Sequence, residues 1–147
     1  MDDADAQALN QAIRLLSLRH RARAAELLAP LGLSTGQEAL LLQLSHSGAT
    51  IQAQLSNALG CEPPSVTVMI RKLEAKGLVR RGPSPMDKRA TLVELTDDGR
   101  TLVGKLGVVW RRLADETVAG LDENTASELP GLLMTLTGNI DSRYRVE

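Results

Sequence analysis

At 147 residues the chain has a one-domain length, enough to bury roughly two thirds of its unfolded surface in a single core. One cysteine excludes an internal disulfide, and two histidines beside it make a poor zinc site. This usage, with no run of 18 apolar residues and no leader pattern after Asp2, Asp3 and Asp5, points to a reduced, cytoplasmic protein with no membrane partner.

In chain order, Leu9, Ala12, Ile13, Leu16 and His20 recur at helical spacing and predict a first helix over Ala4–Ala29, closed by Pro30. Ser34, with Gln37 three residues on, reads as a capping box opening a second helix whose core face is Leu40, Leu41 and Leu44. A third helix places Ile51, Leu55, Ala58 and Leu59 on one side and stops at Gly60. Pro63 and Pro64 can only open the next, because proline fits a helix's first turn and not its interior.

In that fourth helix Val66, Met69, Ile70 and Leu73 share one buried face. The opposite face carries Pro64, Val68, Arg71, Lys72 and Ala75, with Ser65 and Thr67 on its flanks. Two short helices meeting at a tight turn, the second bearing small polar and basic residues near its start, outline a helix-turn-helix with a recognition helix. Ser65 and Thr67 could donate to or accept from base edges, Val68 could meet a thymine methyl, and Arg71 could pair with guanine or reach a phosphate.

Leu78 to Arg81 then read as a strand, Gly82-Pro83-Ser84-Pro85 as a turn-rich loop, and Ala90 to Leu95 as a second strand of period two. The hairpin tip, Asp87-Lys88-Arg89, puts Lys88 and Arg89 where a loop could enter a minor groove. Asp87 is expected to orient a nearby arginine, either Arg89 or one on the recognition helix. From Ser65 to Ala90 seven basic residues face two acidic ones, a local charge of +5 on a remainder of −6. The fold class expected is mainly α with a small β-hairpin wing, a winged helix-turn-helix core flanked by N- and C-terminal dimerisation helices.

The run from about Leu33 to Gly99 resembles the MarR (multiple antibiotic resistance regulator) family of transcription regulators. The likeness rests on Asp87, Arg89, Leu95, Thr96 and Gly99, an Asp-x-Arg wing followed by Leu-Thr-x-x-Gly, and on Leu73-Glu74-Ala75-Lys76-Gly77-Leu78-Val79. Val68 departs from it, since many members carry arginine or lysine after the threonine. The resemblance implies a homodimer on a palindromic operator of double-stranded DNA, often released by a small molecule or oxidant. It also places an effector pocket between lobe and dimer helices, which here would draw on Arg19, His20, Arg23, His46 or Trp110.

After the wing, Thr96 caps a long helix with Leu102, Leu106, Val109 and Leu113 on one side, in which Gly104 and Gly107 either weaken the helix or admit another backbone. Asp122 caps a last helix running toward Tyr144. A kink or break is expected there near Glu128 to Gly131, because Pro130 removes a hydrogen bond. The domain reading is a single unit over 1–147, with a DNA lobe at about 34–98 and dimerisation helices at 4–29 and 99–145. No cofactor, metal or catalytic residue is indicated. A protein-binding winged helix, and least of all a Cys61/His enzyme, remain the competing readings; Cys61 beside a helix start could also be oxidisable.

Overall fold

The computed structural model describes residues 1–141, so Tyr144 lies outside the described residues. Helix α1 spans Asp3–Leu28, its start capped by Asp2, whose Oδ1 accepts from the Asp5 N–H at 2.8 Å. A single 3-10 turn, Ala29–Leu31, absorbs Pro30. Helix α2 (Gln37–Ser47), strand β1 (Thr50–Ile51), helix α3 (Gln52–Leu59) and helix α4 (Pro63–Ala75) follow, then strands β2 (Val79–Pro83) and β3 (Thr91–Leu95) and helices α5 (Asp97–Val118) and α6 (Glu123–Asp141). By internal packing the chain divides into Met1–Leu113 and a second unit beginning at Ala114.

In the first unit, Leu28, Leu33, Leu40, Leu41, Leu44, Leu55, Val66, Ile70, Leu73, Val79, Val93, Leu95 and Leu106 form one core, with Met69 and Trp110 packed partly against it. The sheet is antiparallel in the order β1-β3-β2, and Val93 pairs with Thr50 on one side and Arg81 on the other.

Several local expectations are corrected. Ile51 is not in a helix but in β1, pairing with Leu92; two residues of strand are too short to leave a period. Ala58 is exposed rather than on the core face. Helix α2 begins at Gln37 with Gly36, not Ser34, as its cap, and only half of the capping box forms: Gln37 Oε1 accepts from the Ser34 N–H at 3.1 Å. Strand β2 continues through Gly82 and Pro83, residues whose turn chemistry points to a loop. Pro83 is tolerated because β2 is an edge strand, so its missing N–H costs no ladder bond. Helix α6 is unbroken across Pro130; the carbonyl deprived of a partner is that of Ala126, a half-buried residue between exposed neighbours, Thr125 and Ser127, where water can substitute.

The recognition helix ends in a Schellman motif. Gly77, at φ 71°, lets the Leu78 N–H reach the Leu73 carbonyl at 3.0 Å and its own N–H reach Glu74 O at 2.9 Å. The same turn is locked to the start of α5. Thr96 Oγ1 donates to Gly77 O at 2.6 Å and accepts from the Gly99 N–H at 3.1 Å, while the Thr96 N–H donates to Leu78 O at 3.1 Å. The Leu-Thr-x-x-Gly signature is thus a clamp that fixes the end of α4 against the beginning of α5.

Two carboxylates brace the hairpin. Arg81 donates through Nε and a terminal nitrogen to Glu74 Oε2 at 3.0 and 2.6 Å, tying β2 to α4. Arg80 meets Glu94, its register partner across the sheet, at 2.7 Å. Hydrogen bonds from these arginines hold both carboxyls below the ordinary glutamate range. A depressed carboxyl stabilises the fold fully well above the unfolded value of about 4.3, and that contribution fades as pH falls through the folded value. Replacing Glu74 and Glu94 together by glutamine is therefore expected to remove a small stabilisation at pH 7, small because exposed pairs are screened, and to leave stability unchanged at the acid end, so that the acid limb of a stability-versus-pH curve flattens. Thermal unfolding from about pH 3 to pH 7 tests it, and an unaltered acid limb would contradict it.

Candidate nucleic-acid interface

Helix α4 exposes Pro64, Ser65, Val68, Arg71, Lys72 and Ala75, with Val66, Ile70 and Leu73 fully buried on its other side. Val68 is 49% exposed, an apolar side chain standing in the middle of this polar face. Thr67 is half-buried, and its hydroxyl is already engaged.

The hairpin tip is pinned by its own hydrogen bonds. The Ser84 N–H donates to Ala90 O at 3.0 Å and the Ala90 N–H to Asp87 O at 3.0 Å. Ser84 is buried, and its Oγ accepts from the Met86 N–H at 3.3 Å. The Asp87 carboxylate meets Arg89 at its backbone, accepting from the N–H at 2.9 Å, rather than at the guanidinium. Asp87 thereby shapes the turn from which Lys88 and Arg89 project.

The seven cations of this segment divide into two sets. Arg80 and Arg81 are held by Glu94 and Glu74, and Lys76 Nζ donates to Gly32 O and more loosely to Gln37 Oε1 at 3.4 Å. Arg71, Lys72, Lys88 and Arg89 are exposed and have no hydrogen-bond or ion-pair partner among the described residues. Two lie on the outer face of α4 and two on the wing. Composition gives all seven equal weight; only the fold separates braces from free charge.

The residues considered for an effector pocket, by contrast, do not gather into one place. His20 and Arg19 are exposed on α1, Arg23 is bound to Glu26 at 2.8 Å, and Trp110 packs against the core from α5. His46 lines a shallow groove with Leu42, Gln43, Ser45 and Leu59, and Arg19, His20, Arg23 and Trp110 are not among its walls. Cys61 is half-buried, its thiol 3.5 Å from Leu59 O. The first turn of α4 offers a thiolate no spare donor: Pro63 and Pro64 have no N–H, and those of Ser65 and Val66 both bond to Glu62 O. Gln52, which nothing in the sequence pattern singles out, donates to Thr67 from the first residue of α3.

Residues 33–91 match the MarR family. The Bacillus subtilis protein YdgJ, an uncharacterised HTH-type transcriptional regulator, is 31% identical over 111 residues, spanning 76% of this chain and 68% of YdgJ. The chain belongs to the MarR family. Bacillus subtilis YhbI, of the same description, is 30% identical over 75% of this chain and 71% of its own length. Among solved structures, a variant of E. coli MarR complexed with operator DNA superposes with a TM-score of 0.81 at 25% identity, covering 92% of this chain and 99% of that one. Bordetella bronchiseptica BpsR, whose DNA binding is regulated by 6-hydroxynicotinic acid, gives a TM-score of 0.79 at 25% identity over 88% of this chain and 98% of its own. This MarR-family transcription regulator therefore has the winged helix fold. Among the described residues no helix is long and apolar enough to cross a membrane.

Proposed function

We propose that the protein binds double-stranded DNA sequence-specifically as a homodimer, acting in the cytoplasm as a repressor on an inverted-repeat operator and released by a small molecule. The observation that carries this reading is the separation of the cations: those not needed to brace the fold, Arg71, Lys72, Lys88 and Arg89, occupy the outer face of α4 and the wing tip. In this reading Ser65, Thr67, Val68, Arg71 and Lys72 face the major groove, Lys88 and Arg89 reach the minor groove, and Asp87 sets the wing turn. The operator complex of E. coli MarR supports the DNA partner, and BpsR supports a ligand that changes DNA affinity.

The dimer reading draws on apolar surface left open in each unit. In α1, Leu9, Ile13 and Leu16 are all more than two fifths exposed, and only Ala24 and Leu28 are buried. In α6, Leu132, Leu133, Met134, Leu136 and Ile140 are exposed. A two-fold partner covers such helices and sets the two recognition helices about 34–36 Å apart, one duplex turn. In that arrangement residues 4–29 and 99–145 dimerise and 34–98 form the DNA lobe.

Selection of fragmented genomic DNA on the purified protein, at physiological and at raised salt, tests the reading. The expected result is an inverted repeat whose affinity falls steeply with salt. Retention of no preferred sequence would overturn it and leave a winged helix that serves a protein partner.

A further inference from the structure

Within the outer face of α4 two hydroxyls differ in what they can still do. Ser65 is exposed, and its hydroxyl has no partner among the described residues, so it can donate or accept. Thr67 has one hydrogen and two lone pairs, and most of that capacity is used inside the protein. Its Oγ1 donates to Pro63 O at 3.0 Å and accepts from Gln52 Nε2 at 3.0 Å. One lone pair remains. Against a DNA base edge Thr67 can therefore accept, and it cannot donate unless an internal bond breaks.

The major groove turns this into a selection rule. Guanine offers only acceptors there, thymine an acceptor and a methyl group, whereas adenine N6 and cytosine N4 carry amino groups that donate. Gln52 is the means by which the hydroxyl is held. It is the first residue of α3, half-buried, and it spans the turn between the two helices to reach a residue fifteen positions on. Without it, the hydroxyl regains a lone pair and loses the contact that pins its place relative to α3.

We propose that Thr67, its hydroxyl hydrogen committed to Pro63 O and its place fixed by Gln52 as a positioning residue, makes this point of the recognition helix an acceptor-only reader that selects an exocyclic amino group, adenine N6 or cytosine N4, at one position of each half-site. The proposal rests on the DNA reading above and adds the chemistry of one contact to it.

The test uses the full chain and the operator recovered by genomic selection, with single bases replaced by analogues that lack the amino group: purine for adenine, 2-pyrimidinone for cytosine. The wild type is expected to lose about five- to tenfold in affinity at one position per half-site. Thr67→Ser, which keeps the hydroxyl, should show the same loss, whereas Thr67→Val and Gln52→Leu should change less than about twofold at that position. Equal thermal midpoints for the four proteins would separate this from a folding defect, because a merely structural Gln52 lowers affinity for every operator alike. An operator that binds but tolerates loss of every amino group overturns this inference alone, as does a Gln52→Leu variant that stays as sensitive as the wild type. Failure to retain any sequence overturns the DNA reading itself.

Discussion

Alanine at both Arg71 and Arg89 is expected to lower operator affinity by about 100-fold or more while the dimer persists. Each side chain is exposed and free of internal partners among the described residues, so truncation removes no brace of the fold. A base-reading arginine contributes about 1–3 kcal/mol of discrimination, and a phosphate contact shows as a reduction of about one in the slope of log affinity against log salt. The two variants should therefore fail differently. Arg71→Ala, on α4, should relax the sequence preference at one position of each half-site. Arg89→Ala, on the wing, should weaken binding mainly where the minor groove is narrow and A·T-rich. Arg81→Ala provides the contrast, for its loss breaks the link to Glu74 and should show first in thermal stability. Fluorescence anisotropy over a salt series, with sedimentation to follow the dimer, decides. Wild-type affinity in the double variant would remove the free cations from the interface and with them the basis of the proposed function.

Whether a feature is legible in the sequence depends on whether its causes are local. The recognition helix is legible because its signals lie within a short run: two prolines that only start a helix, an i, i+3, i+4, i+7 core face, and a glycine just past its end. Thr96 as a cap is legible for the same reason, a Thr-x-x-Gly spacing that puts the hydroxyl on the Gly99 N–H. Strand β1 is not, since Thr50 and Ile51 become strand only because β3, about forty residues later, supplies the partner. Gln52 escapes similarly: a glutamine at a helix start is unremarkable until the turn brings Thr67 within reach. The division of the seven cations into braces and free charge is tertiary information throughout, as Glu94 meets Arg80 by strand register and Glu74 meets Arg81 through the packing of α4 against β2.

The largest stability effect belongs to Gly99. A β-carbon there would lie 2.1 Å from the Leu78 carbonyl oxygen and 3.2 Å from the Leu95 side chain. The first contact is with backbone that already accepts from the Thr96 N–H, so relief requires the α4–β2 turn and the start of α5 to separate. Gly99→Ala is therefore expected to cost about 3 kcal/mol or more, the upper end of overpacking penalties, and to lower the thermal midpoint by roughly 6–12 °C. Gly104 and Gly107 in the same helix are exposed, with nothing within 4 Å of an added β-carbon. Alanine at those sites should instead add about 0.5–1 kcal/mol each, the ordinary helix preference for alanine over glycine. The contrast isolates the cause: one helix and one chemical change, with opposite signs set by what the methyl group meets. A stable Gly99→Ala protein would mean that the Leu-Thr-x-x-Gly clamp tolerates separation. A destabilised Gly104→Ala would mean that another backbone approaches α5 there, as a two-fold partner can.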